Sequence, residues 1–146
     1  MSTMSLVGRT VEKELFIAAA PERVYRALTN VDDLKRWFVT DAEVELQPGG
    51  VFNLYWQQEN VKGEIVESDP PHRLTFTWDE RPAHGITTCT IELTPEADGT
   101  LLRLAHTGFL EGDNWDDLYN GVDSGWTLEL GNLKTWLETG TVKHWS

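Results

Sequence analysis

Between Val51 and His106 the apolar side chains return at every second position, in short runs separated by turns. Phe52, Leu54 and Trp56 alternate with Val51, Asn53 and Tyr55. Leu74, Phe76 and Trp78 alternate with Arg73, Thr75 and Thr77. Cys89, Ile91 and Leu93 stand opposite Thr88, Thr90 and Glu92, and Leu102, Leu104 and His106 opposite Leu101, Arg103 and Ala105. Neighbouring side chains of a strand point to opposite faces, so this period predicts antiparallel strands with one buried and one wet face. Val61 to Ser68 reads as a further strand of the same region, which spans Ala42 to Thr107. Gln47-Pro48-Gly49-Gly50, Asp69-Pro70-Pro71 and Ala97-Asp98-Gly99 supply the turns.

The flanks follow other rules. Val11 to Ala18 is rich in strand formers and reads as a first strand. Ala20-Pro21-Glu22 opens a short helix, since proline suits a first helical turn and an acid complements the helix N-terminus. Val24, Ala27 and Leu28 give that helix its apolar face, and Asn30 breaks it. Asp32 and Asp33 start a second short helix carrying Leu34, Trp37 and Phe38. Near the C-terminus, Trp126, Leu130, Leu133 and Leu137 fall at i, i+4, i+7 and i+11. That is one stripe of a long helix, able to cover the apolar side of the sheet. Asn114 or Asp113 reads as its cap, Gly140 as its stop, and Gly121 and Gly125 as weak points or kinks. The fold class is therefore α+β: a curved antiparallel sheet of about six to seven strands, two short helices, and a long C-terminal helix over the concave face.

Length and composition narrow the function. The chain has 146 residues, enough for one domain, read as 11–140 with tails at 1–10 and 141–146. Cys89 is the lone cysteine, so no intrachain disulfide forms, and a reducing cytoplasm is the expected setting. No stretch reaches the ~18 apolar residues of a membrane span, and the N-terminus does not read as a signal peptide. The formal net charge is −12, which repels phosphate backbones and anionic lipid heads. Nucleic acid and membranes are thus not expected partners. Metals and cofactors are not expected either. The histidines lack paired-ligand spacing, and no phosphate-binding loop or nucleophile elbow is present.

Seven tryptophans are spread along the chain. Phe52, Trp56, Phe76, Trp78, Trp126, Leu130 and Leu133 form the candidate wall of a cavity for a small apolar or aromatic molecule. The alternative for each is ordinary core packing. His106 shares the inward face of its strand. It could anchor a ligand carbonyl or act as acid or base, or it could bond to the Thr107-Gly108-Phe109 loop. Cys89 reads as a small buried hydrophobe. Glu43, Glu45, Glu64 and Glu67 read as solvated strand positions.

Several local strings, in order, carry a family resemblance. They are Pro21-Glu22-Arg23-Val24-Tyr25-Arg26-Ala27-Leu28-Thr29, Leu34 with Trp37-Phe38, Pro48-Gly49-Gly50 and Gly63-Glu64-Ile65-Val66-Glu67. Then follow Asp69-Pro70-Pro71-His72-Arg73-Leu74, Thr77-Trp78, His106-Thr107-Gly108-Phe109 and Gly125-Trp126. From about Val11 to Thr139 the chain resembles the heat-shock protein 90 ATPase activator homologue family of the START-like (SRPBCC) superfamily. The resemblance implies a helix-grip fold, in which members share a cavity rather than one reaction. It frames three expectations. The first is a non-enzymatic domain holding a small hydrophobic or aromatic ligand. The second is a co-chaperone-like domain with a protein partner, marked by an apolar patch on the convex face. The third is a small cyclase or hydrolase in which His106 faces a carboxylate or tyrosine. A monomer or homodimer fits each of them.

Overall fold

The computed structural model describes residues 9–81, 84–110 and 112–141. The tail readings at 1–8 and 142–146, with His144 and Trp145, lie outside the described residues.

The first strand, β1 (Arg9–Ile17), begins earlier than the sequence reading and takes in Arg9 and Thr10. Helix α1 (Pro21–Thr29) has Pro21 at its start and buries Val24, Tyr25, Ala27 and Leu28. Asn30 then does two things. Its backbone ends α1 by donating to the Arg26 carbonyl, and its side chain accepts from the Asp33 N–H at 3.0 Å to cap α2 (Val31–Trp37). A residue that competes well for backbone partners thus closes one helix and opens the next. Trp37 is buried against this corner and donates its indole N–H to the Ala27 carbonyl at 2.9 Å.

The strands follow as β2 (Asp41–Val44), β3 (Phe52–Tyr55), β4 (Asn60–Val61), β5 (Ile65–Asp69), β6 (Arg73–Asp79), β7 (Ile86–Glu96) and β8 (Gly99–Phe109). They form two antiparallel sheets. One is five-stranded, in the order β1-β8-β7-β6-β5, and the other is three-stranded, in the order β2-β3-β4. The single strand expected from Val61 to Ser68 is divided at Gly63, where the chain passes from the small sheet to the large one. A Cβ at Gly63 would lie 2.1 Å from the Thr77 carbonyl oxygen, so only glycine lets the crossing run this close to β6. Single bridges, Val51 to Glu64 and Lys62 to Asp79, link the two sheets.

The alternation holds on the large sheet. Val11, His106, Cys89 and Phe76 stand side by side across β1, β8, β7 and β6, and all four are buried. Burial raises the Cys89 thiol well above its ordinary pKa, consistent with a packed hydrophobe and not a nucleophile. The opposite face carries charges. Glu14, Arg103, Glu92, Arg73 and Glu67 form a ladder across β1, β8, β7, β6 and β5. Arg103 pairs with Glu14 at 2.6 Å, and Arg73 with Glu67 at 2.9 Å and with Glu92. A face built this way is a charged, solvated surface along the ladder, with Ile86 exposed at the start of β7.

Helix α3 (Asp113–Thr139) covers the buried face. Its N-cap is Gly112, at φ 124°, so Asp113 and Asn114 are the first helical residues and not the cap. The helix continues through Gly121 and Gly125 and stops at Gly140 in the left-handed region. Trp126, Leu130 and Leu133 are buried beneath it, as the stripe predicts. One flank is tied to β1 by polar contacts. Arg9 pairs with Asp116 at 2.8 Å, Lys13 pairs with Asp123 at 2.9 Å, and Lys134 donates to the Phe16 carbonyl at 2.6 Å. Anchoring on that side leaves the other flank standing off the small sheet.

Candidate functional site

A groove of about 310 Å³ runs along the free flank of α3. The helix contributes Asp117, Leu118, Gly121, Val122, Gly125, Trp126 and Glu129. This spacing keeps to one side of a 3.6-residue helix. The facing wall is Phe38 from the end of α2, Trp56 and Glu59 between β3 and β4, Val61 of β4, and Trp78 and Glu80 at the end of β6. The two glycines hold the groove open. A Cβ placed on either meets nothing within 4 Å, so the space in front of them is empty.

Four rings in this wall touch in a closed circuit. Phe38 meets Trp56 edge-on at 5.4 Å, Trp56 meets Trp78 at 6.2 Å, Trp78 meets Trp126 edge-on at 5.9 Å, and Trp126 meets Phe38 at 5.6 Å. Such centroid spacings are those at which aromatic quadrupoles attract. Each indole N–H has its own acceptor. Trp56 donates to the Phe38 carbonyl at 2.8 Å, Trp78 to a Glu80 carboxylate oxygen at 2.5 Å, and Trp126 to His106 Nδ1 at 3.0 Å. The rings are thereby fixed in orientation and present apolar surface, with carboxylates around them.

His106 is wholly buried. Because Trp126 donates to Nδ1, that nitrogen carries no proton and the neutral ring is protonated on Nε2. Nε2–H then donates to Thr87 Oγ1 at 2.7 Å, and Thr87 donates on to the Trp78 carbonyl at 3.3 Å. Burial pulls the imidazole pKa down to about 4, because the charged form loses its hydration. Helix α3, β8, β7 and β6 are thus joined by one polar chain whose members are satisfied. Both ring nitrogens of His106 thus bond within the fold, to Thr87 of the neighbouring strand and Trp126 of the helix.

The Thr107-Gly108-Phe109 loop has a different part. Gly108, at φ 104°, inserts an extra residue into β8, and the pairing with β1 shifts between Arg9 and Thr10. The bulge turns Phe109 onto the same buried face as His106, with ring centroids 4.8 Å apart.

The sequence candidates therefore separate. Trp56, Trp78 and Trp126 line the groove. Phe52 and Phe76 pack on each other at 4.3 Å beside a void of only about 10 Å³, roughly the minimum for one water and far below a ligand. Leu130 and Leu133 belong to the buried core under α3, and His106 stands behind the wall as a positioning residue for Trp126. Sequence reasoning placed Phe38 on its helix without assigning it to the wall. Gly121 and Gly125 read in the sequence as weak points, and Glu59, Glu80 and Glu129 are not among its candidates. The signal for the glycines was present: they lie five residues and one residue before Trp126, beside the apolar stripe. Burial against the groove raises the Glu129 carboxyl to about 7 despite the Asn132 side chain donating to it.

A larger depression, about 590 Å³, lies over the charged ladder of the opposite face. No aromatic ring lines it, and Arg73 and Arg103 there are already paired with Glu92 and Glu14. Among the described residues no His, Cys, Asp and Glu cluster can hold a metal ion, and no helix is long and apolar enough to cross a membrane.

A curved antiparallel sheet gripping one long helix, with a cavity along that helix, defines a START-like helix-grip domain. Residues 18–138 match the family described as Activator of Hsp90 ATPase homolog 1-like protein, and the chain belongs to that family. Protein MLL2253 from Mesorhizobium loti is 28% identical with a TM-score of 0.80, over 89% of this chain and 97% of its own. CalU16 from Micromonospora echinospora is 29% identical with a TM-score of 0.75, over 88% of this chain and 74% of its own. The Aha1 dimer from Colwellia psychrerythraea shares the fold, with a TM-score of 0.81 at 22% identity over 90% of this chain and 98% of its own. No curated protein matches the chain.

Proposed function

We propose that this chain is a non-enzymatic binding domain that holds a small hydrophobic or aromatic molecule in the groove between α3 and the β3–β4 hairpin. One observation carries the reading. A circuit of four rings, whose three indole N–H groups already have acceptors, borders an open space that two helix glycines leave unfilled. At about 310 Å³ the groove sits at the low end of small-molecule sites, which selects a ligand of one or two rings. The satisfied His106 favours binding over acid–base chemistry, because a general base needs a free lone pair within reach of substrate. Native mass spectrometry of the purified protein beside a denatured sample tests the reading. A small mass lost on denaturation, and absent from a Gly125→Leu variant, is the expected result. A ligand retained equally by that variant places the site elsewhere.

A further inference from the structure

The groove is not only aromatic. Its lining includes Glu59, Glu80, Asp117 and Glu129 and contains no lysine or arginine among the described residues. The ion pairs among the described residues are made elsewhere and do not reach Glu59, Glu80 or Asp117. With the three indole N–H groups already committed, Glu59, Glu80 and Asp117 bring carboxylate oxygens to the lining, which accept and do not donate. The ring faces carry negative potential as well. Apolar walls, π-faces and acids around one small cavity complement a single kind of molecule.

On the basis of the binding reading above, we propose that the occupant is a monocationic amine carried on an apolar or aromatic body. Its ammonium lies among the rings of Phe38, Trp56, Trp78 and Trp126, within reach of the carboxylates of Glu59 and Glu80. The attraction of a desolvated cation to aromatic faces is substantial, and tryptophan is the strongest of the ring types. The carboxylates add the Coulomb term in a site partly screened from water. An anion of the same shape meets only repulsion there, and a neutral molecule gains the apolar contact alone.

The test titrates the full chain with three probes of matched shape: benzyltrimethylammonium, 2-phenylethanol and 3-phenylpropionate. The readouts are the indole N–H signals of Trp56 and Trp78 by NMR, and tryptophan fluorescence. The cation is expected to bind at least about tenfold more tightly than the alcohol, a difference of about 1.4 kcal/mol. The carboxylate is expected to leave the signals unmoved. Glu59→Gln with Glu80→Gln should remove most of that preference while retaining the alcohol's affinity. Gly121→Leu and Gly125→Leu, introduced separately, should abolish binding of both. If the alcohol binds as tightly as the cation, or the double Gln variant keeps the full preference, the cation assignment is overturned and groove binding stands. If no probe moves the indole signals of the folded protein, both are overturned.

Discussion

The polar chain from Trp126 through His106 to Thr87 makes stability depend on acid in a calculable way. The His106 ring is held neutral in the fold with a pKa of about 4, whereas an exposed histidine titrates near 6.5. Between these values the unfolded chain binds a proton that the native chain refuses, so stability must fall as pH falls. The contribution is complete above about pH 6.5 and is lost progressively toward pH 4. Integrating the two titrations to about pH 4.5 gives a loss of roughly 2–3 kcal/mol from this one residue. That is a large share of the stability of a domain this size. Glu129 acts in the opposite sense. Its carboxyl is raised to about 7, so its stabilising effect is full below the ordinary carboxylate pKa and is lost as pH rises through 7. The two slopes oppose each other over the acidic range, and a bare pH profile of the protein would blur them. The comparison that isolates His106 is urea unfolding of the wild type and of His106→Gln, each at about pH 7.5 and about pH 4.5, taken as a difference of differences. The variant loses stability outright, because glutamine does not match the ring's two bonds. Its stability should nonetheless fall by roughly 2–3 kcal/mol less than that of the wild type on acidification. An NMR titration of the His106 ring carbons gives the same answer directly: they should still report the neutral form at about pH 5. Parallel pH profiles for the two proteins, or a His106 ring that titrates near 6.5, would refute the assignment of a buried neutral imidazole.

Three further outcomes are expected. Glu129→Gln should gain stability relative to wild type as pH rises from about 5 to 8. The gain should stay within about 1 kcal/mol, since the carboxyl is partly wet; a gain at low pH instead would reverse the sign argued here. Gly99→Ala should cost several kcal/mol in urea denaturation, because its Cβ would sit 2.2 Å from the Ile17 carbonyl oxygen, which is backbone and cannot turn aside. Gly121→Ala should do the reverse and stabilise by up to about 1 kcal/mol through helix propensity, the space before it being empty; a loss would mean that the groove is narrower than described.

What the sequence determined by itself is what local patterning can encode. The period of two placed the strands. The spacing of Trp126, Leu130 and Leu133 placed the buried stripe of α3, and Asn30 marked the joint between the two short helices. The ordered strings identified the family. These signals survive in one dimension because they depend on residues within a turn or two of each other. The tertiary structure decided the rest. Gly63 reads as an ordinary strand residue until the chain is seen passing against the Thr77 carbonyl, which divides one expected strand between two sheets. Gly108 breaks the alternation and turns Phe109 inward, a change of phase that no alternating pattern announces. The role of His106 depended on Thr87 of the next strand and Trp126 of the helix, 19 and 20 residues away. The groove depended on which flank of α3 is tied to β1, because that choice leaves Gly121, Gly125 and Trp126 facing Phe38, Trp56 and Trp78 across open space. Residues distant in the chain meet only when the sheets and the helix are assembled, so their shared surface is a property of the packed fold and not of any segment within it.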